Sequence, residues 1–600
     1  MDTIRLSVVI PTFNRKHVLE HTLPALLQQD FPPEQFELIY ILDGSTDGTA
    51  EMLRALKPAC ALQVLEQPNQ GPSAARNKGI QVARGDLILF LDDDLISAPS
   101  LFQHHSAAHK NLDSVVVHGP VYVSPESPKT LIRYMTEVQY EDCYRHRDPA
   151  LGLPFPMMAS SLVNSSMPRK MLLASGGFDE QIRSAEDLEL GLRLWKAGTT
   201  FRLLPAAVTH EFFVKSSHAF VKQPTTVSAR GELYVCREHP EYRPHSRLAK
   251  VGLGGGWKRV LRIMAARSPL SLVPLLTLPI WMAERLNRFV PIRKAGIRML
   301  EIATDTSLHR AALRETGSWR ALQREFGMRL PVLMYHHVGP SIPHTYAELT
   351  VLPKQFERQI RWLARRGYVG IRPSDWVEWR RSGKGLPDKH VLLTFDDGYA
   401  DLAEHALPVL RRYGFGAVVF IVTGLVGGTN AWDEARGSAT HRLLTAEQIR
   451  YWATQGIEFG AHSRTHADLT TLSAEELAKE IVGGRDELAN LLGSPVTSFA
   501  YPYGAYNQTV NTCAQGVYSL TFRADESAPG INYLCTDPHD LQRTMIHPKD
   551  SLADLECRLR WGHSPILEMR ERLHLRSRLK RLACALLGRK APDPPGEFSS

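Results

Sequence analysis

Leu6 to Asn14 reads as an apolar strand running into a turn, and Phe36 to Leu42 as a second strand ending in Asp43-Gly44-Ser45-Thr46-Asp47-Gly48-Thr49. A third, Asp86 to Leu91, ends in Asp92-Asp93-Asp94, and stretches of helical character lie between the three. Alternating β and α predicts an open α/β sheet, which binds ligands at the carboxyl ends of its strands. An Asp-rich turn can simply cap the helix that follows it. That does not explain why the second and third strands both end in aspartates.

Beyond residue 242 the pattern changes. From about Arg243 to Gly327 the chain is basic and apolar, and Pro269 to Ala283 is a proline-broken apolar run flanked by arginines. It is shorter than the roughly 20 apolar residues a spanning helix needs. A re-entrant or surface-lying helix and a buried interdomain helix both fit it. Met334 to Val338 then opens another α/β region as a buried strand would. Near the end, Leu575, Leu579, Leu582 and Leu586 share one helical face among Arg576, Arg578, Lys580, Arg581, Arg589 and Lys590, a pattern compatible with an anionic membrane surface. After Ala591 a Pro-rich tail is expected to be disordered.

Composition narrows the class. Six hundred residues, 43% apolar and 22% charged, suffice for two or three large cores. Seven scattered cysteines without a C-x-x-C pair argue for a reducing compartment. The chain opens directly on a core strand with no signal peptide before it, so the expectation is a cytoplasmic protein, with the inner face of the cell membrane as a place for it. The net charge of +8 comes without a nucleic-acid motif, so basicity does not argue for DNA or RNA.

Chemistry concentrates first at Leu393-Thr394-Phe395-Asp396-Asp397-Gly398 and at His462-Ser463-Arg464-Thr465-His466. Two histidines at i, i+4 can turn both imidazoles toward one point, and a carboxylate at a strand end completes a three-ligand divalent site with room for water and substrate. Of two adjacent carboxylates, one can ligate while the other takes a proton from an attacking water. The aspartates closing the N-terminal strands suit a hard cation that neutralises a diphosphate, and there is no G-x-x-x-x-G-K loop to do so instead.

At these residues the segment from about Leu330 to Leu559 resembles the polysaccharide deacetylases of the NodB-homology group, carbohydrate esterase family 4. The resemblance implies a distorted (β/α) barrel, with Asp396 as catalytic base and Asp397, His462 and His466 as ligands of zinc or another transition metal. The family's third motif corresponds to Ala500-Tyr501-Pro502-Tyr503, where the usual arginine, which orients the base, is absent. Tyr503 matches the position whose backbone amide faces the tetrahedral oxyanion. The last motif, a hydrophobic residue and a histidine general acid, is best matched by Ile546-His547 after Arg543.

The first 240 residues resemble the family 2 glycosyltransferases of GT-A fold, a Rossmann-like nucleotide-sugar domain. On that resemblance Pro11, Thr12, Asn14, Asp43, Gly44 and Ser45 form the nucleotide-binding turns, and Arg76 and Asn77 lie in the segment that closes over the nucleotide. Asp92 and Asp94 match the outer members of the Asp-x-Asp metal motif for manganese or magnesium, and His210 sits where a further metal or diphosphate contact is often found. Glu186-Asp187 matches the acceptor-site acidic pair, with Asp187 as the base of an inverting transfer. Leu42 stands where the family commonly has another aspartate, and the Gln-x-x-Arg-Trp element of processive synthases is absent.

The expected organisation is a transferase domain over 1–242, a helical basic linker over 243–327, a deacetylase domain over 328–562, and a basic helix with tail over 563–600. The expected function is bifunctional. A sugar is transferred from a nucleotide-linked donor, UDP-linked first, to a glycan or glycolipid, and an N-acetylated sugar is deacetylated. A non-catalytic glycan-binding C-terminal module and an O-deacetylase are the alternatives.

Overall fold

The structure is a computed structural model that describes residues 4–110, 114–144, 162–212, 216–217, 220, 225–252, 273–326, 328–340, 348–382, 385–434, 440–524, 531–567 and 569. The chain divides into two compact units, Met1–Phe326 and Gly327–Ser600. The basic leucine-faced segment and tail beyond residue 569 lie outside the described residues, as do residues 253–272.

The first unit contains β1 (Leu6–Thr12), β2 (Phe36–Asp43), β3 (Ala61–Gln67), β4 (Leu87–Phe90), β5 (Leu95–Ser97), β6 (Val115–His118), β7 (Val121–Val123), β8 (Ser165–Pro168), β9 (Thr200–Leu203) and β10 (Thr209–Glu211). Seven of them form one sheet in the order β3-β2-β1-β4-β8-β6-β9, and β5-β10-β7 form a second. β1, β2, β3 and β4 pair in parallel, while β8 runs antiparallel to β4 and β6. β1 and β2 are buried almost throughout, as strands covered on both faces must be. Their carboxyl ends, with that of β4, deliver Thr12, Asp43 and the Asp92–Asp94 run to one edge.

The helices Val273–Arg285 and Val290–Thr316, expected as linker, pack onto this unit. Ile280, Ala283, Leu300 and Ala303 join Val123, Leu131 and Ile132 in one apolar cluster, and Leu308, Ala311 and Ala312 join Leu188, Leu192 and Leu233 in another. Among the described residues no helix is long and apolar enough to cross a membrane.

The second unit runs through β11 (Arg329–Tyr335), β12 (His337–Val338), β13 (Thr350–Val351), β14 (Val369–Ile371), β15 (His390–Phe395), β16 (Ala417–Ile421), β17 (Ile457–Ala461), β18 (Ser498–Ala500), β19 (Leu520–Arg523), β20 (Ile531–Tyr533), β21 (Leu541–Gln542) and β22 (Thr544–Met545). β11, β15, β16, β17, β18 and β19 follow one another in parallel. β21 pairs with β19 and β22 with β11, so the stretch 541–545 brings the sheet back to its start and forms a short-seamed barrel. Leu393, Phe395, Val419, Ile421, Phe459 and Phe499 are buried in its main apolar core.

Candidate active sites of the two units

In the second unit, Asp396 and Asp397 follow β15 directly, and His462 and His466 follow β17. Asp397 Oδ1 lies 3.4 Å from His462 Nε2 and 3.2 Å from His466 Nε2. Among the described residues these are the three His, Cys, Asp or Glu side chains that gather closely enough to hold a metal ion, and all three are buried. His462 Nδ1 lies 2.8 Å from the carbonyl oxygen of Ala500, a contact that fixes the ring with Nε2 toward Asp397. The residue standing in the arginine's place thus contributes its main chain. Burial pushes the Asp397 carboxyl up, but the two imidazoles hold it well below the usual carboxylate range. Asp397 Oδ1 is buried without a hydrogen-bond partner, as a ligand atom awaiting a cation would be. Two imidazoles and one carboxylate fit a transition metal such as zinc.

Asp396 faces the same cavity, about 410 Å³ in volume, whose lining also includes His336, Trp432, Tyr503 and Arg543. Arg543 Nη1 lies 2.5 Å from Asp396 Oδ1. Burial alone would raise the Asp396 carboxyl, yet Arg543, His462 and His336 together hold it below its ordinary value. The orienting guanidinium that Ala500 lacks therefore comes from between β21 and β22. Arg543 carries no role in the motif reading, where it stands three residues before Ile546.

His336, without a role in the motif reading, lies with Nε2 3.9 Å from Asp396 Oδ2. Burial lowers its imidazole's proton affinity, with Asp396 opposing. His547 is not part of the cavity wall, and its backbone N–H donates to Asp550 instead. The signal for His336 was its place at the end of a buried strand next to the one carrying Asp396, which becomes visible once β11 is paired with β15. Tyr503 lines the cavity with φ at 57°, and its ring meets His466 edge-on with centroids 4.5 Å apart.

Three loops meet at the edge of the first unit. Asn14 accepts through Oδ1 from the Thr46 N–H at 2.8 Å, and its own N–H donates to Ser45 Oγ at 3.0 Å. Asp43 accepts from the N–H groups of Gln70 and Gly71 at 2.8 and 2.9 Å, so its carboxylate orders the 67–71 loop. Gly44 turns with φ at 82°, where a side chain would strain the backbone. Pro11 and Thr12 end β1 beside this knot. Asn77 bonds the backbone of Phe178 through both ends of its amide.

Arg76, nearly buried, joins three acids from two segments: Glu186 at 2.8 Å and its neighbour Asp187 at 3.4 Å, and Asp92 at 3.0 Å. Burial, reinforced by Glu186 and Asp92 and opposed by Arg76, pushes the Asp187 carboxyl above its ordinary value. A carboxylate whose basicity is raised is suited to accept a proton. Asp94 pairs with Arg15 at 3.4 Å, and Asp93 is the buried member of the run. His210, half-buried on β10, has its ring 6.3 Å from that of Tyr122. Among the described residues Asp92, Asp94 and His210 do not gather as a three-ligand set. Asp92 pairs with Arg76 and Asp94 with Arg15.

Residues 7–163 match the sequence profile of Glycosyl transferase family 2, and residues 383–518 match that of Polysaccharide deacetylase. The chain therefore carries a domain of each family, in that order. YxkH of Bacillus subtilis (strain 168), described as a polysaccharide deacetylase, is 29% identical over 201 residues, 34% of this chain and 65% of that one. Validoxylamine A glucosyltransferase of Streptomyces hygroscopicus subsp. limoneus is 32% identical over 231 residues, 34% of this chain and 50% of that one. The Streptococcus pyogenes deacetylase PplD, solved with acetate, is 28% identical over 39% of this chain and 98% of that one, with a TM-score of 0.34. The chain spans about half to two thirds of the length of the curated relatives it matches first.

Proposed function

We propose that the protein is a bifunctional glycan-biosynthesis enzyme: a glycosyltransferase using a nucleotide-sugar donor, joined to a metal-dependent N-deacetylase. The observation that carries the second activity is the buried Asp397–His462–His466 group beside an Asp396 held by Arg543 at the wall of one cavity. Asp397, His462 and His466 would hold a divalent cation. Such a cation, when bound, supplies Lewis acidity to water and to an acyl oxygen.

This chain's own groups do the rest. Asp396, kept ionised and aimed by Arg543, takes the proton of the attacking water. His336, on the cavity wall 3.9 Å from Asp396, relays that proton to the departing amine, the role the sequence reading gave to His547. The peptide N–H of Tyr503 faces the oxygen on which negative charge develops. The alternative of a non-catalytic glycan-binding module rests on the missing arginine and on the weak match for the general acid, and the contact of Arg543 with Asp396 supports the catalytic reading against the first of these. Scission of an ester at the same cavity would use the same groups.

In the first unit, Asp187 is the proton acceptor for the acceptor hydroxyl, and the loops around Asn14, Asp43 and Arg76 hold the donor, UDP-linked first. The acceptor is a glycan or glycolipid, and the protein attaches peripherally to a membrane face. Acetate release from N-acetylated chitooligosaccharides, measured with and without a chelator and in Asp396→Asn, tests the hydrolase. Chelator-insensitive release would rule the reading out. For the transferase, Asp187→Asn should lower turnover far more than donor affinity, and the reverse pattern would move Asp187 to the donor site.

A further inference from the structure

The helix Val273–Arg285 has apolar residues on two sides. Ile280 and Ala283 face inward, in the cluster with Leu131 and Ile132. On the other side Leu278, Trp281 and Met282 are 62, 44 and 51% exposed, and the ridge continues through the turn with Leu286 and with Phe289 at 48%. A helix apolar all round belongs in an apolar surrounding, and here only half of that surrounding is protein. The hairpin is also anchored. Gly296 of the next helix sits so close that an added Cβ would come within 2.7 Å of the Ala283 Cβ and 2.8 Å of Leu131 Cδ1. The exposed ridge is therefore held out on a fixed support.

Charge decides what covers it. Residues 273–300 contain five basic side chains, Arg285, Arg288, Arg293, Lys294 and Arg298, against one acidic one. That acid, Glu284, is turned inward to hydrogen-bond Ser217. Arg285 lies over the Trp281 ring at 4.2 Å and Arg288 over the Phe289 ring at 5.0 Å, so aromatic and cationic groups share one edge. A second copy of the chain would bring five like charges against five. An anionic bilayer surface meets both features, taking the apolar ridge among its acyl chains and the arginines at its phosphates.

We propose that the hairpin Leu278–Arg298 docks this enzyme onto anionic phospholipid, lying on the bilayer rather than crossing it. The proposal rests on the peripheral attachment put forward above and gives it a site. Its test is flotation of the full chain with vesicles of phosphatidylcholine and phosphatidylglycerol, against phosphatidylcholine alone, at low and high salt. The intact protein should float with the anionic vesicles and less so at high salt. The triple variant Leu278→Ser, Trp281→Ser, Phe289→Ser should lose about tenfold or more in partitioning, as expected when an interfacial helix loses its apolar anchors. Arg285→Gln with Arg288→Gln should keep the apolar contact but weaken the salt dependence. All of these side chains are exposed, so circular dichroism and transfer to soluble acceptors should be unchanged.

If the intact protein floats and the triple variant floats equally, attachment lies elsewhere and the proposed site falls while peripheral attachment stands. Failure of the intact protein to float with either vesicle would overturn both. Light scattering that shows a dimer of the intact chain and a monomer of the triple variant would make a second copy the occupant, which also overturns the proposal.

Discussion

Seven non-glycine residues among those described have positive φ, and four of them line the hydrolase site or belong to its ligand loop: Asp397, Ser463, His466 and Tyr503. Such backbone costs of order 1–3 kcal/mol per residue and persists where the surroundings over-determine it. Here the strain aims two side chains of the candidate metal group and one peptide at a common cavity. Arg543 is the counterpart in side-chain terms. Arg543→Met should lower deacetylase turnover by about 100-fold, the scale of a misplaced general base, while bound metal per chain, measured by plasma mass spectrometry, stays at the wild-type level. Loss of metal together with activity would mean that Arg543 serves the ligand set instead. The gathering of Asp397, His462 and His466 was legible in the sequence, because they lie in two short contiguous stretches. Arg543 and His336 were not, because Arg543 reaches Asp396 across 147 positions and His336 becomes its neighbour only through strand pairing.

Elements hold these residues through their own polar groups. The loop after β17 is clamped by Glu480, whose carboxylate accepts from the N–H groups of Arg464 and Thr465 at 2.8 and 2.9 Å and from the Thr465 hydroxyl at 2.8 Å. Glu480→Ala should weaken metal affinity about 10- to 100-fold, the usual cost of losing the support of a ligand. A competition titration against a chromogenic chelator would measure this, and an unchanged affinity would mean that Ser463 Oγ on the His466 N–H suffices.

In the first unit Glu37, buried on β2, accepts from Ser7, Gln63 and Arg84. Burial pushes its carboxyl up, but those donors prevail and hold it below its ordinary value. Its contribution is therefore present above the unfolded pKa and lost as pH falls through the folded one. Glu37→Gln should cost about 2 kcal/mol at pH 7, as expected for hydrogen bonds to a charged group, and the gap in melting temperature from wild type should close as pH drops below about 4. A gap constant with pH would mean that the network does not depend on the charge. Three strands of this unit, β1, β2 and β4, were legible to within about two residues, since mostly apolar runs ending near Asp43 and Asp92 have few other uses, whereas β3 and β5 to β10 carry no such signal. The packing of 273–326 was not. Its apolar faces say that something covers them but do not name Val123, Leu131 or Leu188 as the cover.

At the scale of the molecule, each unit has its own buried core and its own site. Calorimetry should resolve two transitions, with Glu37→Gln moving one and leaving the other in place. If both domains work on one glycan, cells carrying Asp396→Asn should accumulate transferase product heavier by one acetyl group per sugar, about 42 daltons from exchanging an amine proton for an acetyl group. An unaltered glycan pool, with the purified variant inactive on model substrates, would assign the two activities to different molecules.

The seam at 541–545 has a kinetic consequence. Joining the last strands to β11 closes a loop of some two hundred residues, the kind of contact that chain entropy makes late to form and early to fray. Because Arg543 rides on that seam, hydrolytic competence reports on the final stitch of the barrel. A chain whose parallel strands and histidine loop are already in place, and which already binds its cation, would still be idle until the stitch is made. Refolding followed by metal uptake should therefore run ahead of refolding followed by acetate release, and mild denaturant should silence the enzyme before it empties the ligand site.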